Sequence, residues 1–376
     1  FEITSFRTDG TYLDGRRPSS VEFSRSLEED LKRRDFTINA MAYNPSIGLV
    51  DLYGGLEDLK KGVIRAVGQA DKRFSEDFLR MLRAVRFAHR LDFEIEPSTS
   101  DAIKSLASNI EKISKERINQ EFTKIILADR PKNGIILLEK LGLLKYIIND
   151  LHKTKGFDQR SIHHQYDLFD HTMEVLNATP SDLDLRLASL FHDLGKLYTM
   201  FIGDDGQGRF YGHDKLSAEI AEKNLKELRY DNKTIERVSI LIARHMEAMN
   251  PYTEKTVKRL ARKIGPDLAE KLFYLQKADI LATNNEQFVD NIYRALEILK
   301  NIEENFQEEE KLNFNGHDLI ELGYIPGKDF GHVMYYIKNL IYEGLLVNEK
   351  EEIKNFIIER TYKDEKNNTS RFMFRA

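Results

Sequence analysis

Apolar and polar positions alternate over residues 1–7, where Phe1, Ile3 and Ser5 are set against Glu2 and Thr4, and this period predicts a strand. Val21–Ser26 predicts a second strand, and Thr8–Ser20 between them, rich in Gly, Asp, Arg and Pro, predicts an exposed loop. Leu27–Arg34 has helical character, Thr37–Tyr43 is apolar, and Leu49–Tyr53 is a short apolar piece ahead of a Gly54–Gly55 turn. From about Asp71 the period turns helical almost to the end. Phe74–Leu91 carries Phe78, Leu82, Val85 and Phe87 at helical spacing, and Lys115–Leu127 and Ile135–Leu144 continue in the same way. A boundary is expected near 150–160, where Lys153–Gln159 is polar. Asp204–Gly208 predicts a tight loop, and the acidic stretch Glu303–Glu310 a solvated helix end or linker.

Composition narrows this picture. A chain of 376 residues with 41% hydrophobic and 32% charged positions is expected to form several soluble globular domains. No apolar run reaches the ~18 residues of a membrane helix, and no signal-peptide pattern opens the chain. Without cysteine there is no disulfide framework and no thiolate ligand or nucleophile, which agrees with the cytoplasm. A net charge of −5 excludes a uniformly basic surface, yet residues 72–90 hold Lys72, Arg73, Arg80, Arg83, Arg86 and Arg90 against Glu76 and Asp77, a local basic surface suited to RNA. The sequence opens on Phe1 partway into a strand, so its natural N-terminus is expected to lie further upstream.

Within this basic stretch, a helix would place Asp77 and Arg80 on one face, with Arg83 and Arg86 extending it. A carboxylate beside a guanidinium offers acceptors next to donors. Cytosine and adenine show an amino donor beside a ring-nitrogen acceptor on their Watson–Crick edges, and uracil and guanine the reverse. An Asp–Arg pair could therefore accept C and A while rejecting U and G, and the remaining arginines suit a triphosphate. Taken alone, the stretch also reads as a solvated basic helix with a Glu76–Arg80 pair.

Upstream stand Arg33-Arg34-Asp35-Phe36-Thr37-Ile38-Asn39 and Asp51-Leu52-Tyr53-Gly54-Gly55-Leu56-Glu57-Asp58. With Glu76–Arg83 third in line, these blocks resemble the motifs of bacterial-type CCA-adding enzymes and poly(A) polymerases. The resemblance implies that Arg34 contacts the incoming nucleotide while Arg33, Asp35 and Asn39 shape its ribose and phosphate site. It implies that Asp77 and Arg80 read the base and that Arg83 and Arg86 complete the pocket. Asp51, Gly54, Gly55 and Asp58 would form a hinge region, and Ser114-Lys115-Glu116-Arg117-Ile118 resembles the family's helix-stabilising motif. Family members hold magnesium on two aspartates of a preceding strand, for which residues 1–376 contain no match. Asp182-Leu183-Asp184 instead predicts a surface helix. Glu2 stands where the family carries a third acidic residue and is the candidate catalytic carboxylate, so the chain as written is expected not to catalyse transfer by itself. The loop with Asp14-Gly15-Arg16-Arg17-Pro18 resembles one associated with adding the terminal A, which favours full CCA addition and leaves A-only addition open.

A second constellation follows: His171, His192-Asp193 in Leu190–Lys196, His213, His245 and Asp279. Imidazoles and carboxylates together suit Mn, Fe, Ni, Zn or Mg and leave positions open for water, and such a centre can attack a phosphoester. The ordered set resembles the HD phosphohydrolases. This implies His171, His192, Asp193 and Asp279 as core ligands, His213 and His245 for a second metal or the phosphate, and Lys196 assisting. His163, His164, His317 and His332 read as surface residues. Asn315–Gly323, with Pro326, Gly327 and Gly331, resembles a tail that touches the tRNA body.

The expected fold class is α+β: a partial nucleotidyltransferase head with few strands over 1–55, then a mostly all-α neck over 56–150, an HD domain over 151–300 and a helical tail over 301–376. The expected function is addition of C, C and A from CTP and ATP to tRNA 3′ ends with Mg2+. RNA would lie along the basic neck, and the HD domain would act on phosphoesters through a transition metal or Mg2+. Neither DNA nor a membrane is an expected partner. The rivals are a poly(A) polymerase and an HD phosphohydrolase with an RNA-binding head.

Overall fold

The protein is described by a computed structural model over residues 5–9, 20–160, 166–249, 251–283, 288–305, 312–342, 345–364 and 369–372. Glu2, most of the Thr8–Ser20 loop, and His163 and His164 lie outside these residues.

Strands are short and each pairs with one partner. The antiparallel pairs are β1 (Arg7–Asp9) with β2 (Val21–Phe23), β3 (Met41–Asn44) with β4 (Gly48–Asp51), β7 (Phe201–Ile202) with β8 (Gly208–Arg209), and β9 (Thr361–Asp364) with β10 (Thr369–Phe372). β5 (Val63–Ile64) and β6 (Glu94–Ile95) run parallel. The first helices are α1 (Leu27–Lys32), α2 (Gly55–Lys61), α3 (Ala70–Glu76), α4 (Leu79–Leu91), α5 (Pro97–Leu106), α6 (Lys115–Ile126) and α7 (Pro131–Lys140). Two short helices, α8 (Leu144–Ile147) and α9 (Asn149–Lys153), lead to α10 (Leu168–Ala178), α11 (Leu183–Phe191), α12 (Lys196–Thr199), α13 (His213–Glu227) and α14 (Asn232–Arg244). The last are α15 (Glu254–Ile264), α16 (Pro266–Leu281), α17 (Val289–Asn305), α18 (Gly316–Glu321), α19 (Lys328–Tyr342) and α20 (Lys350–Glu359).

These elements form two compact units. One contains Phe1–Tyr252 with Asp267–Arg294, the other Thr253–Pro266 with Ala295–Ala376. The first is built on α4 and α6, whose apolar stripes bury Met81, Leu82, Val85, Ile118 and Phe122. Its contacts continue across position 150: Asp150 accepts from Tyr198 Oη at 2.8 Å and Asn224 Nδ2 at 3.2 Å. Asn119 Nδ2 donates to the Leu228 carbonyl at 2.9 Å. The core of the second unit gathers Phe314, Leu319, Tyr324, Val333, Ile337, Ile353 and Ile357. Position 301, where the tail was expected to start, falls inside α17.

The predicted helix over Phe74–Leu91 is two helices. Asp77 is extended (φ −151°, ψ 103°), and its Oδ1 accepts from the Leu79 amide at 3.1 Å, starting α4 afresh. A short side-chain acceptor competes with the i−4 carbonyl for backbone N–H groups, and here it wins. Asp182-Leu183-Asp184 also departs from a plain surface helix. Asp182 caps α11, and Asp184 is buried, its carboxylate 2.7 Å from Arg237 and 3.0 Å from Lys271.

Candidate nucleotide and metal sites

Arg33-Arg34-Asp35 leaves the end of α1 and is pinned to the segment after β5. The Thr37 amide donates to the Arg65 carbonyl at 3.0 Å, and the Val67 amide to the Asp35 carbonyl at 3.1 Å. Beneath it, buried Asp58 accepts from Thr37 Oγ1 at 2.7 Å and Arg65 Nε at 3.1 Å, while Asp51 caps α2 through the Gly55 and Leu56 amides, both at 2.8 Å. The expected hinge residues thus serve as a cap and a buried anchor. Asp30 holds the first two arginines, with contacts of 2.5 Å to Arg33 and 3.0 Å to Arg34. Burial pushes the Asp30 carboxyl up, but the hydrogen bonds and charges of both guanidinium groups outweigh this and leave it lowered. Asp35 accepts from Asn39 Nδ2 at 3.1 Å and from Arg83 Nε at 2.7 Å.

At the α3–α4 break, the guanidinium of Arg117 on α6 grips Asp77 with two bonds of 3.1 and 2.7 Å. The fork spans both carboxylate oxygens. Arg80 faces elsewhere: it pairs with Glu76 and donates to the Arg73 carbonyl at 2.8 Å and the Arg33 carbonyl at 3.1 Å. Asp77 and Arg80 are therefore not a pair on one helix face. They nevertheless line one cavity of about 520 Å³ together with Arg33, Arg34, Asp35, Asn39 and Arg83. With Arg117, five arginines oppose two aspartates along its wall, and Leu79 and Phe87 complete it.

Arg86 lies outside this cavity. It points to α6, where its Nε is 2.5 Å from the buried Glu121 carboxylate and its guanidinium covers the Phe87 ring at 4.1 Å. Arg86 is offset from Arg83 by only about 60° around the helix, and its ion pair with Glu121 on α6 turns it away from the cavity. The basic surface expected over 72–90 is likewise mostly consumed. Arg73, Arg80, Arg83 and Arg86 are tied to acidic or carbonyl partners, and Lys72 and Arg90 are the exposed cations of the six. Arg117 and Phe87 were missed as lining residues. Arg117 stands in the Ser114–Ile118 block, but nothing in its spacing points to Asp77.

The His–Asp set converges in the first unit. His171 Nε2 is 3.1 Å from Asp279 Oδ1, 3.4 Å from Asp193 Oδ2 and 3.3 Å from His192 Nε2. On the other side of Asp193, Oδ1 lies 3.3 Å from His213 Nε2 and 3.6 Å from His245 Nε2. Lys196 Nζ sits 2.7 Å from Asp193 Oδ2. The loop after α11 delivers His192, Asp193 and Lys196, and Gly195 lets it meet α13: a Cβ there would stand 2.3 Å from the His213 carbonyl. Burial disfavours charge on His171, His192, Asp193 and Asp279, yet the facing opposite charges prevail. They raise His171, push His192 up to about 10, and hold Asp193 and Asp279 well below the usual carboxylate range.

This donor set fits a divalent cation. His192, His213 and His245 each turn Nδ1 to a backbone carbonyl, those of Ser189 at 2.8 Å, Phe210 at 2.7 Å and Ile242 at 2.7 Å. A donating Nδ1–H leaves Nε2 as a lone pair, and the Nε2 atoms of His213 and His245 are buried with no hydrogen-bond partner among the described residues. Two overlapping clusters result: His171, His192, Asp193 and Asp279, and Asp193, His213 and His245. His317 and His332 are exposed.

Three family models match the chain: "Poly A polymerase head domain" over residues 1–65, "Probable RNA and SrmB-binding site of polymerase A" over 92–154, and tRNA nucleotidyltransferase domain 2 over 212–357. A CCA-adding enzyme of Ligilactobacillus salivarius is 35% identical over 93% of this chain and 76% of its own length. One of Streptococcus thermophilus is 33% identical over 95% of this chain and 78% of its own length. Among solved structures, the Bacillus stearothermophilus CCA-adding enzyme in complex with CTP superposes with a TM-score of 0.65 at 27% identity, covering 95% of this chain and 78% of that one.

Proposed function

The chain belongs to the CCA-adding enzyme family, and from this we infer that it adds C, C and A to the 3′ end of tRNA without a template, drawing on CTP and ATP. The observation that carries the reading is the cavity where an arginine-held carboxylate, Asp77, shares a wall with Arg33, Arg34, Arg80 and Arg83. A carboxylate has about four lone-pair positions, so the Arg117 fork fixes Asp77 without exhausting it. Asp77 would accept from the exocyclic amine of C or A. Arg80 spends three of its five N–H donors on protein and keeps the others for the ring nitrogen. U and G would turn a carbonyl toward the carboxylate and an N–H toward the guanidinium, which leaves both unmatched. Arg33, Arg34 and Arg83 would take the triphosphate, and Asp35 and Asn39 the ribose.

Titration with each nucleotide tests the pair. CTP and ATP are expected to bind about tenfold or more tighter than UTP and GTP, with the preference gone in Asp77→Ala. Equal binding of all four by the unaltered protein sinks the reading. Activity is tested with tRNA lacking its CCA and labelled CTP or ATP. Transfer in this family draws on a divalent metal, for which we propose Mg2+. Among the described residues only the two His–Asp clusters could hold an ion, and Glu2 lies outside those residues. The described residues therefore do not supply the transfer metal site.

The buried His–Asp centre favours a second activity, phosphoester hydrolysis, with RNA ends bearing a terminal or cyclic phosphate as substrates. His171, His192, Asp193 and Asp279 would hold a divalent cation, and His213 and His245 a second one or the phosphate. When bound, the cation supplies Lewis acidity toward the phosphoester. The carbonyl bonds at Nδ1 orient His192, His213 and His245, and Lys196 positions Asp193. The division into head, neck, HD and tail segments near 55, 150 and 300 belongs to the same proposal. No helix among the described residues is long and apolar enough to cross a membrane, and we place the work in the cytoplasm.

A further inference from the structure

Gln159, in the loop between α9 and α10, is 1% exposed. Its Oε1 accepts from Lys196 Nζ at 3.0 Å, and the same ammonium lies 2.7 Å from Asp193 Oδ2. Lysine has donors and no acceptor, so the amide must turn its oxygen toward Lys196. That orientation commits Nε2 to the other side, where it is buried and has no hydrogen-bond partner among the described residues. The backbone does not let the residue drift. The Gly208 amide on β8 donates to the Arg160 carbonyl at 2.8 Å, and β8 approaches so closely that a Cβ at Gly208 would stand 2.2 Å from the Gln159 carbonyl oxygen. Arg160 itself is left-handed, with φ 46°, a conformation that costs a non-glycine residue free energy and that the surroundings must impose.

The Gln159–Arg160 backbone thus presents a buried amide donor with no acceptor among the described residues, one lysine away from the His–Asp centre. An unmet buried donor is destabilising, because it has lost its water without gaining an acceptor. Asp193 and Asp279, the carboxylates of the centre, are engaged by imidazoles and Lys196. The missing partner is therefore an incoming acceptor whose charge complements Lys196.

We propose that the Gln159 amide is a phosphate donor of this centre. With Lys196 it binds the non-bridging oxygens of a phosphate ester and orients the phosphorus toward the ligand cluster. The inference rests on reading the cluster as a metal centre for phosphoesters.

The test uses the full chain loaded with Mn2+, whose occupancy is read by electron paramagnetic resonance, and titrated with inorganic phosphate. Gln159→Glu keeps an acceptor for Lys196 and replaces the donor by a carboxylate. Gln159→Met removes both polar atoms. The unaltered protein is expected to bind both ions. In the variants Mn2+ affinity should hold within about twofold while phosphate affinity falls about tenfold or more. Should Gln159→Met not fold, Gln159→Glu carries the comparison. Unchanged phosphate affinity in the variants overturns the inference, as does an unaltered protein that binds Mn2+ but no phosphate. Joint loss of Mn2+ and phosphate in the variants also overturns it, because Gln159 would then be structural. No Mn2+ on the unaltered protein refutes the metal-centre reading itself, a distinguishable failure.

Discussion

Arg83 and Arg86 stand three positions apart on α4 and serve different ends. Arg83 reaches across to Asp35 beside the nucleotide cavity, with its guanidinium partly open to solvent. Arg86 is locked to Glu121, and both side chains are largely buried. Removing Arg86 leaves the buried Glu121 with Lys124 alone, 3.2 Å away, so Arg86→Ala should cost about 1.5–3 kcal/mol of stability. CTP affinity of the folded variant should be unchanged. Denaturant unfolding and nucleotide titration check the two halves, and a loss of CTP affinity at unchanged stability would return Arg86 to the nucleotide site. Gly195 sets a similar contrast at the metal centre. In Gly195→Ala the new methyl would fall 2.3 Å from the His213 carbonyl and 2.9 Å from the Ser217 amide. Overpacking of about 1–3 kcal/mol is expected. Mn2+ binding should weaken more than the stability loss alone explains, because His213 begins the helix that must move.

At the scale of elements, α5 depends on one carboxylate. Glu96 accepts from the Thr99 amide at 2.8 Å and from Ser98 Oγ at 2.7 Å, and Thr99 Oγ1 in turn receives the Ala66 amide at 3.2 Å. Burial raises the Glu96 carboxyl, but these hydrogen bonds overcome it and bring it down to about 2. A depressed folded-state value means stability that is present above the unfolded value, near 4.5, and lost as pH falls through about 2. Glu96→Ala should cost about 1 kcal/mol at pH 7 and flatten acid unfolding between those limits. If the two acid-denaturation curves stay parallel, the carboxylate is not the cap that matters. Elements of this length also mark what the sequence made legible. The apolar period located α4 and α6, because their stripes face one core, but it set the next helix at Ile135–Leu144 where α7 runs over Pro131–Lys140. It ran straight through Asp77, because periodicity registers burial and not a side chain's competition for a backbone N–H. The His–Asp set could be grouped from order alone, since each member sits at a helix end or turn of one bundle. Arg117 could not be joined to Asp77 that way, because their pairing depends on how α6 lies beside α4.

On the scale of the whole molecule, all six His–Asp residues belong to one of the two compact units. A divalent cation should therefore stabilise that unit by about 2.7 kcal/mol at a hundredfold excess over Kd and so raise its unfolding temperature. Chelation should reverse the shift and leave the unit holding Phe314 and Ile353 untouched. A calorimetric scan in which both transitions move equally would contradict this. Since protons compete with a cation for the imidazole nitrogens of the cluster, its affinity should fall as pH is lowered. Within the same unit, Arg186 of α11 spends its buried guanidinium on backbone carbonyls: Ile126 at 2.5 Å, Ala128 at 2.8 Å and Pro180 at 3.1 Å. The far end of α6 is thereby bolted to α11, while its near end holds Arg117 against Asp77. A rod clamped at both ends can neither slide nor spin. One inserted residue between Arg117 and Ile126 would swing the guanidinium about 100° around the axis, so α6 tolerates changes of side chain but not of length.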